Sequence, residues 1–385
     1  MMPLNRRTSA LVTAGAISLA AVAMAEEKST PLSAAPASTT ISGYVDTSAQ
    51  WNFGTGNANN PGYSFGGASK ADGFNLNVVQ LSISKPLEEG EWAAGYTVDL
   101  WLGPDANTLA SQSTLATGGP SDLAIRQAYV ALRTPVGNGI DWKIGVWDTV
   151  LGYEVLGSPN NPNFTHSWGF TIEPTTHTGI HAGYKVNDTL SVMACVADTF
   201  GPTINGRANP PKAESYKTYM GAFALTAPES WGWAKGSTLS AGVVNGFNSS
   251  LGDNQTSWYV GSTLSTPVNG LKVGVAFDYA DFHNRAAGVG DNQWVIGGYA
   301  SYQASEKLSF HGRGEYFVTD GGTGSDTKLY EVTLTAQYDL WKNVLSRLEF
   351  RWDHIDSGSA FGEDSSGSPN RNNALMLVAN VIYKF

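Results

Sequence analysis

The sequence repeats one pattern about sixteen times: runs of roughly ten residues in which apolar and polar side chains alternate. The first run extends from Ile41 to Phe53 and the last from Leu375 to Phe385. Successive side chains of an extended strand point to opposite sides, so each run predicts a β-strand with one apolar face and one polar face. The chain is therefore predicted to be all-β.

The connections between these runs follow a second regularity, because short turns alternate with long polar loops. The long loops are 54–73, 103–122, 148–173, 199–214, 246–256, 280–292, 318–327 and 354–372. Short turns on one rim and long loops on the other are typical of transmembrane up-and-down antiparallel β-barrels, with the turns periplasmic and the loops extracellular. A soluble sandwich with Greek-key connections has no reason to alternate in this way.

The polar face of the strands carries charge. Asp99, Lys143, Glu315 and Arg351 are examples, and their neighbours on the other face are apolar. A midplane Arg or Lys facing lipid costs about 2–4 kcal/mol, so the charged face is predicted to line a water-filled lumen, which about sixteen strands are enough to enclose. Strand two changes face near Val78, and the direction of Arg126 in strand four is left open.

The N-terminus indicates export. Arg6 and Arg7 precede an apolar run that ends in Ala23-Met24-Ala25, which predicts a signal peptide over residues 1–25. A flexible N-terminal tail is expected over 26–38, and the barrel over 39–385. The predicted location is the outer membrane of a diderm bacterium, as an integral multi-pass barrel in contact with lipid and lipopolysaccharide.

Charge and composition exclude other classes. The net charge of −10 becomes −12 without the two signal-peptide arginines, which argues against nucleic acid as a partner. The single cysteine, Cys195, excludes an internal disulfide framework. Two aromatic girdles are predicted from tryptophans at strand ends. They comprise Trp51, Trp147, Trp258, Trp294 and Trp352 near long loops, and Trp92, Trp142, Trp231, Trp233 and Trp341 near short turns.

The terminal strand resembles the assembly signal of outer-membrane barrels, because it ends in Phe385 and is apolar at Tyr383 and every second residue before it. The resemblance implies recognition by the outer-membrane assembly machinery. In a closed barrel this strand must pair with the first one, around Ile41 to Phe53, since an open edge in lipid leaves backbone groups unpaired.

Short stretches along most of the mature chain resemble the OmpL-like family of outer-membrane β-barrel porins. They are Ser42-Gly43-Tyr44-Val45, Gln127-Ala128-Tyr129-Val130, Gly152-Tyr153-Glu154-Val155 with the Asn-rich run after it, Pro174-Thr175-Thr176-His177-Thr178-Gly179 and Asn245-Gly246-Phe247. The resemblance implies a passive channel for small hydrophilic solutes and ions. The chain departs from the expected Asn-Gly-aromatic turn at Ala197-Asp198-Thr199-Phe200, which leaves the 199–214 loop uncertain.

Similarity to general porins with sixteen strands implies that the third long loop, 148–173, folds inward and narrows the pore. Its acidic and imidazole side chains would then face wall cations and create a transverse field. The candidates are Glu154, His166 and Glu173 on the loop, and Lys143, Arg313, Arg347 and Arg351 on the wall. The same analogy implies a homotrimer. Alternatively, 148–173 is an ordinary surface loop whose Asn and Pro residues form turns.

Three other functions are considered. A substrate-selective channel would stack sugar rings on Trp101, Trp147 and Trp168, and an adhesin would use its loops. An outer-membrane hydrolase would need a catalytic histidine, but His177 and His181 lie roughly 13 Å apart along an extended strand. No Gly-x-Ser-x-Gly motif is present. We therefore expect no catalytic residue, metal site or cofactor.

Overall fold

The computed structural model describes residues 39–54, 59–61, 63–113, 121–210, 212–282 and 290–385. The predicted signal peptide and the N-terminal tail lie outside the described residues. In the described part of the chain, sixteen β-strands pair in sequence order and form a closed antiparallel barrel, as the alternation predicted. None of the helices in those ranges is long and apolar enough to cross a bilayer.

The strands follow the predicted runs closely. They are β1 (Thr40–Phe53), β2 (Gly73–Lys85), β3 (Ala93–Leu102), β4 (Leu123–Thr134), β5 (Ile140–Asp148), β6 (Thr176–Lys185), β7 (Leu190–Ala197), β8 (Thr218–Thr226), β9 (Thr238–Asn248), β10 (Asp253–Ser265), β11 (Leu271–Phe282), β12 (Asn292–Gln303), β13 (Leu308–Thr319), β14 (Thr327–Trp341), β15 (Val344–Ile355) and β16 (Asn373–Lys384). Within the described ranges, two short α-helices, α1 (Pro104–Leu109) and α2 (Trp168–Ile172), interrupt long loops. The same ranges contain three 3₁₀ turns: Ala68–Lys70, Ser158–Asn160 and Glu229–Ala234.

The barrel closes between its first and last strands. Pairing of β1 with β16 runs from Tyr44 opposite Lys384 to Phe53 opposite Leu375. Beyond the last paired residues, the Gly43 N–H donates to the Phe385 carbonyl at 2.9 Å, and the Phe385 N–H donates to the Gly43 carbonyl at 3.0 Å. The ladder therefore continues to the final residue and leaves no open edge along this seam.

The two faces of the sheet differ as the alternation predicts. On β15, Leu348 is 53% exposed on the outer surface, whereas the next residue, Glu349, is fully buried inside the barrel. Several tryptophans of the predicted girdles have outward-facing, exposed rings: Trp51, Trp258, Trp92 and Trp341. Trp147 was wrongly assigned to a girdle, because it has the inward parity of Lys143 and its ring is fully buried inside the barrel.

Two β-bulges resolve the parity that the sequence left open. On β2, Val78 lies opposite Asp46 and Leu76 opposite Thr47, so Asn77 is the extra residue. On β4, the register with β3 skips Arg126 in the same way. A bulge shifts the alternation by one residue. As a result Arg126 points inward, where it contacts Asp99 at 3.3 Å and Asp148 at 2.5 Å.

Segment 148–173, which we call the inner loop, lies inside the barrel. Its first part packs Leu151 and Tyr153 into an apolar cluster with side chains of β7 to β12. Its middle part places Phe164 against a cluster at the β1–β16 seam, and Trp168 stacks on Phe317 of β13 at 5.3 Å. The loop thus contacts the wall on several sides.

Deleting Phe385 should impair barrel assembly, because the Gly43 N–H and carbonyl lose their partners where β1 meets β16. Each unpaired buried group costs about 1–3 kcal/mol. The folded fraction is measured from heat-modifiable electrophoretic mobility in isolated membranes. Phe385→Tyr keeps both backbone bonds and is the control. A deletion variant that folds as well as this control would contradict the importance of the seam.

Candidate functional site

Local contacts give the inner loop its shape. The side chain of Asn161 accepts a hydrogen bond from the Val155 N–H at 2.9 Å and donates to the Val155 carbonyl at 2.5 Å, which closes a turn. The Ser167 hydroxyl accepts from the Phe170 N–H at 3.0 Å and caps α2. The Asn-rich sequence does form turns, as the alternative reading held, but these turns lie inside the barrel.

Glu154 is the centre of the polar contacts between the loop and the wall. Its carboxylate accepts from Arg313 Nη1 at 2.9 Å and from the Ser167 N–H at 3.0 Å, and it lies 2.9 Å from His166 Nδ1. Burial alone would raise the pKa of Glu154. The Arg313 guanidinium and the hydrogen bonds from His166 and Ser167 outweigh burial and lower the pKa to about 2. Glu154 is therefore an anion held by a wall cation.

Three wall arginines donate to backbone carbonyls of the inner loop. Arg313 binds the Thr165 carbonyl at 2.7 Å, and Arg351 binds the His166 carbonyl at 2.6 Å. Arg347 binds the carbonyls of Ser158 and Asn161, both at 2.8 Å. Guanidinium groups suit this role because they present several donors in a fixed plane. All three predicted wall arginines therefore contact the loop directly.

Wall acids bind the loop's backbone N–H groups, and the candidate set missed this half of the interaction. Glu349 accepts from Phe164 at 2.5 Å and from Thr165 at 2.9 Å. Glu315 accepts from the Trp168 N–H at 2.8 Å and from the Gly169 N–H at 3.1 Å. The signal was present in the sequence, since acids and arginines alternate at every second residue on β13 and β15.

These charges are buried, contrary to the expectation that water in the lumen would solvate them. The Arg313 side chain is fully buried and also contacts Glu331 at 3.2 Å, and Arg351 contacts Asp353 at 2.9 Å. Opposite charges and loop backbone groups therefore compensate the wall charges. Removing one member of a buried pair typically costs 3–5 kcal/mol, because the other member is left uncompensated. The network fixes where the loop lies.

Glu173 does not contact a wall cation. Burial, and then the nearby Asp278 carboxylate, raise the pKa of Glu173 well above its usual range. Gly152 passes close to it with a φ of +115°, and a Cβ there would lie 2.5 Å from a Glu173 carboxyl oxygen. A glycine is therefore required at this crossing.

Lys143 differs from the other candidates. It lies on β5 with its Nζ 5.1 Å from the centre of the Tyr129 ring, and within the described ranges it forms no ion pair. The structure brings five of the candidates into one contact network: Glu154, His166, Arg313, Arg347 and Arg351. In this network the loop and the wall touch directly, whereas the sequence had predicted that they would face each other across the pore. Glu173 and Lys143 lie outside that network.

Two of the three tryptophans considered for sugar stacking are buried. Trp101 is 1% exposed and donates to Gln80 at 2.8 Å, and Trp147 is fully buried. His177 and His181 both pack on the Trp147 ring, with ring centres 5.4 and 5.5 Å away. The expectation that these indoles could stack sugar rings is therefore wrong for Trp101 and Trp147. The Trp168 ring stacks on Phe317, and its indole N–H donates to Asp353.

A closed barrel of sixteen antiparallel strands with a long loop folded into its interior defines an outer-membrane porin. The family model described as "Putative beta-barrel porin-2, OmpL-like" matches residues 38–385, and the chain belongs to that family. The protein is thus an integral barrel of the outer membrane. No curated protein matches the chain by sequence.

Solved structures of porins share the fold at low sequence identity. The anion-selective porin from Comamonas acidovorans is 14% identical with a TM-score of 0.62, over 90% of this chain and 99% of that one. OmpF of Salmonella typhi, in complex with daunomycin, is 12% identical with a TM-score of 0.60, over 90% and 97%. The trimer form of OmpT from Vibrio cholerae is 13% identical with a TM-score of 0.57, over 90% and 99%.

The Glu154 contacts predict an acid-sensitive loop. A carboxylate with a lowered pKa stabilises the folded state above its unfolded pKa, and this stabilisation disappears as the pH falls. The contribution should be complete above about pH 4.5 and be lost towards pH 2. Protease cleavage of the inner loop, followed in detergent across this range, should rise as the pH falls.

Glu154→Gln is the matched variant, because it keeps the side-chain size and cannot titrate. Its cleavage should already be raised at neutral pH and should change less between pH 4.5 and 2. Identical pH profiles for the wild type and this variant would show that Glu154 does not hold the loop.

Proposed function

We propose that this porin is a passive channel for small hydrophilic solutes and ions, with the inner loop as its constriction. The observation that carries this proposal is the contact network between the loop and the wall, centred on the Glu154–Arg313 pair at 2.9 Å. The network anchors the loop across the lumen, so a solute must pass beside it.

The contacts of Arg347 support a constriction whose width depends on a few wall side chains. Its guanidinium binds loop carbonyls at Ser158 and Asn161 and forms no ion pair among the described residues. The segment around Ser158–Asn160 is therefore held against β15 by hydrogen bonds to one side chain. Polar solutes would be oriented by such fixed charges and dipoles, without covalent chemistry.

We also propose that the protein catalyses no reaction. His177 lies 3.1 Å from the Thr149 hydroxyl, which is the geometry of a base beside a hydroxyl group. However, His177 is only 1% exposed and is packed on Trp147. A substrate could not reach this pair without rearrangement of the wall. A hydrolase is therefore less well supported than a channel, and so is a sugar-selective channel built on buried indoles.

A homotrimer is the assembly we propose, in line with the trimer form of the similar OmpT structure. Lipid and lipopolysaccharide would contact the exposed apolar faces, and the assembly machinery would recognise the terminal strand that ends at Phe385. Light scattering of the detergent-solubilised protein, corrected for bound detergent, should give three times the mass of one chain. A mass of one chain would contradict the trimer.

Purified protein in a planar bilayer should produce stepwise conductance, and Arg347→Gln should raise the conductance of a single step. The variant frees the loop carbonyls and leaves no acid unpaired, so the barrel should still fold. Lys307→Gln, in a short turn, is the control for loss of charge. Absence of conductance steps in the wild type would refute the channel, because an adhesin is expected to carry little current. An unchanged step in Arg347→Gln would refute the role of the loop as constriction.

A further inference from the structure

We propose that Lys143 and His181 form a subsite on the inner wall for small carboxylate anions, which makes the channel prefer them. This inference rests on the proposed channel function and adds the chemical class of the favoured solute. The two residues are on the neighbouring strands β5 and β6, and they lie directly opposite each other in the strand register. Neither belongs to the inner-loop network.

Among the described residues Lys143 has no direct counterion, whereas the three arginines that bind the inner loop have partners. Arg313 and Arg351 bind acids, and Arg347 binds loop carbonyls. Lys143 has its Nζ over the Tyr129 ring at 5.1 Å and forms no ion pair in the described part of the chain. A cation–π contact positions an ammonium group without neutralising it.

The acids closest to Lys143 along its own strand are bound to arginines. Asp141 accepts two hydrogen bonds from Arg133, at 2.6 and 2.7 Å. Asp148 accepts from Arg126 at 2.5 Å. These bidentate and short contacts orient the carboxylates toward the guanidinium groups. Lys143 is left as the cation on this strand without a direct counterion.

His181 supplies the second polar group. Its Nδ1 is buried and has no hydrogen-bond partner, and its ring is held at 67° to the neighbouring Trp147 ring. A neutral imidazole can donate from one nitrogen, and an ammonium group can donate three hydrogen bonds. The two donors, one from each strand, match the two oxygens of a carboxylate. A halide ion offers only one acceptor atom to both donors.

The position of the pair allows access from the periplasmic side. Lys143 is the fourth residue of β5, which begins at Ile140 after a short turn. Lys143 is 8% exposed and His181 is 9% exposed, so both keep a small accessible surface. The inner loop begins at the opposite end of β5. The subsite would therefore act on solutes between the periplasmic mouth and the constriction.

Reversal potentials across gradients of potassium acetate and potassium chloride test this proposal. The ratio of acetate to potassium permeability should be about threefold higher in the wild type than in Lys143→Gln. This is the effect expected of one partly screened unit charge at close range. His181→Phe should lower the acetate permeability more than the chloride permeability. Lys185→Gln, which removes a β6 lysine paired with Asp188 at the rim, should change neither.

The outcomes separate this inference from the proposed function. Normal conductance steps with an unchanged acetate permeability in Lys143→Gln would overturn the subsite and leave the channel intact. Equal effects of His181→Phe on acetate and chloride would overturn the carboxylate preference. Absence of steps in the wild type would overturn the channel itself. Heat-modifiable mobility confirms that each variant is folded before it is measured.

Discussion

The structure depends on one constraint: in the bilayer, a backbone N–H or carbonyl group can be paired only by the protein itself. The β1–β16 seam meets this constraint, and its last two bonds join Gly43 to Phe385. Because the barrel is closed, each strand has an outer face that contacts lipid and an inner face that points into the barrel. The alternation of residues such as Leu348 and Glu349 follows from that division.

The same constraint operates again inside the barrel. The inner loop brings irregular backbone into the interior, where its N–H and carbonyl groups need partners. The wall provides them, since Arg347 and Arg351 bind carbonyls while Glu349 binds N–H groups. The buried charges of β13 to β15 are thus explained by loop binding. Single substitutions of these wall side chains would therefore change how the loop is held.

The sequence predicted what depends on local periodicity, namely the number and order of strands, the closed barrel and the outer-membrane location. It could not predict the bulges at Asn77 and Arg126, because one extra residue changes parity without a local marker. Trp147 was misplaced because its position at a strand end outweighed its inward parity. The Glu154–Arg313 contact joins residues far apart in the chain, so no spacing could reveal which cation faces which acid.

The central claim is that the inner loop lies inside the barrel against β14, where the Asn163 amide donates to the Thr335 hydroxyl at 2.8 Å. The most direct test is cross-linking of an Asn163→Cys and Thr335→Cys pair by a short bifunctional thiol reagent, in a Cys195→Ser background. The linked peptides are identified by mass spectrometry. An intramolecular cross-link is expected in folded protein. Two reactive cysteines that remain unlinked would contradict it.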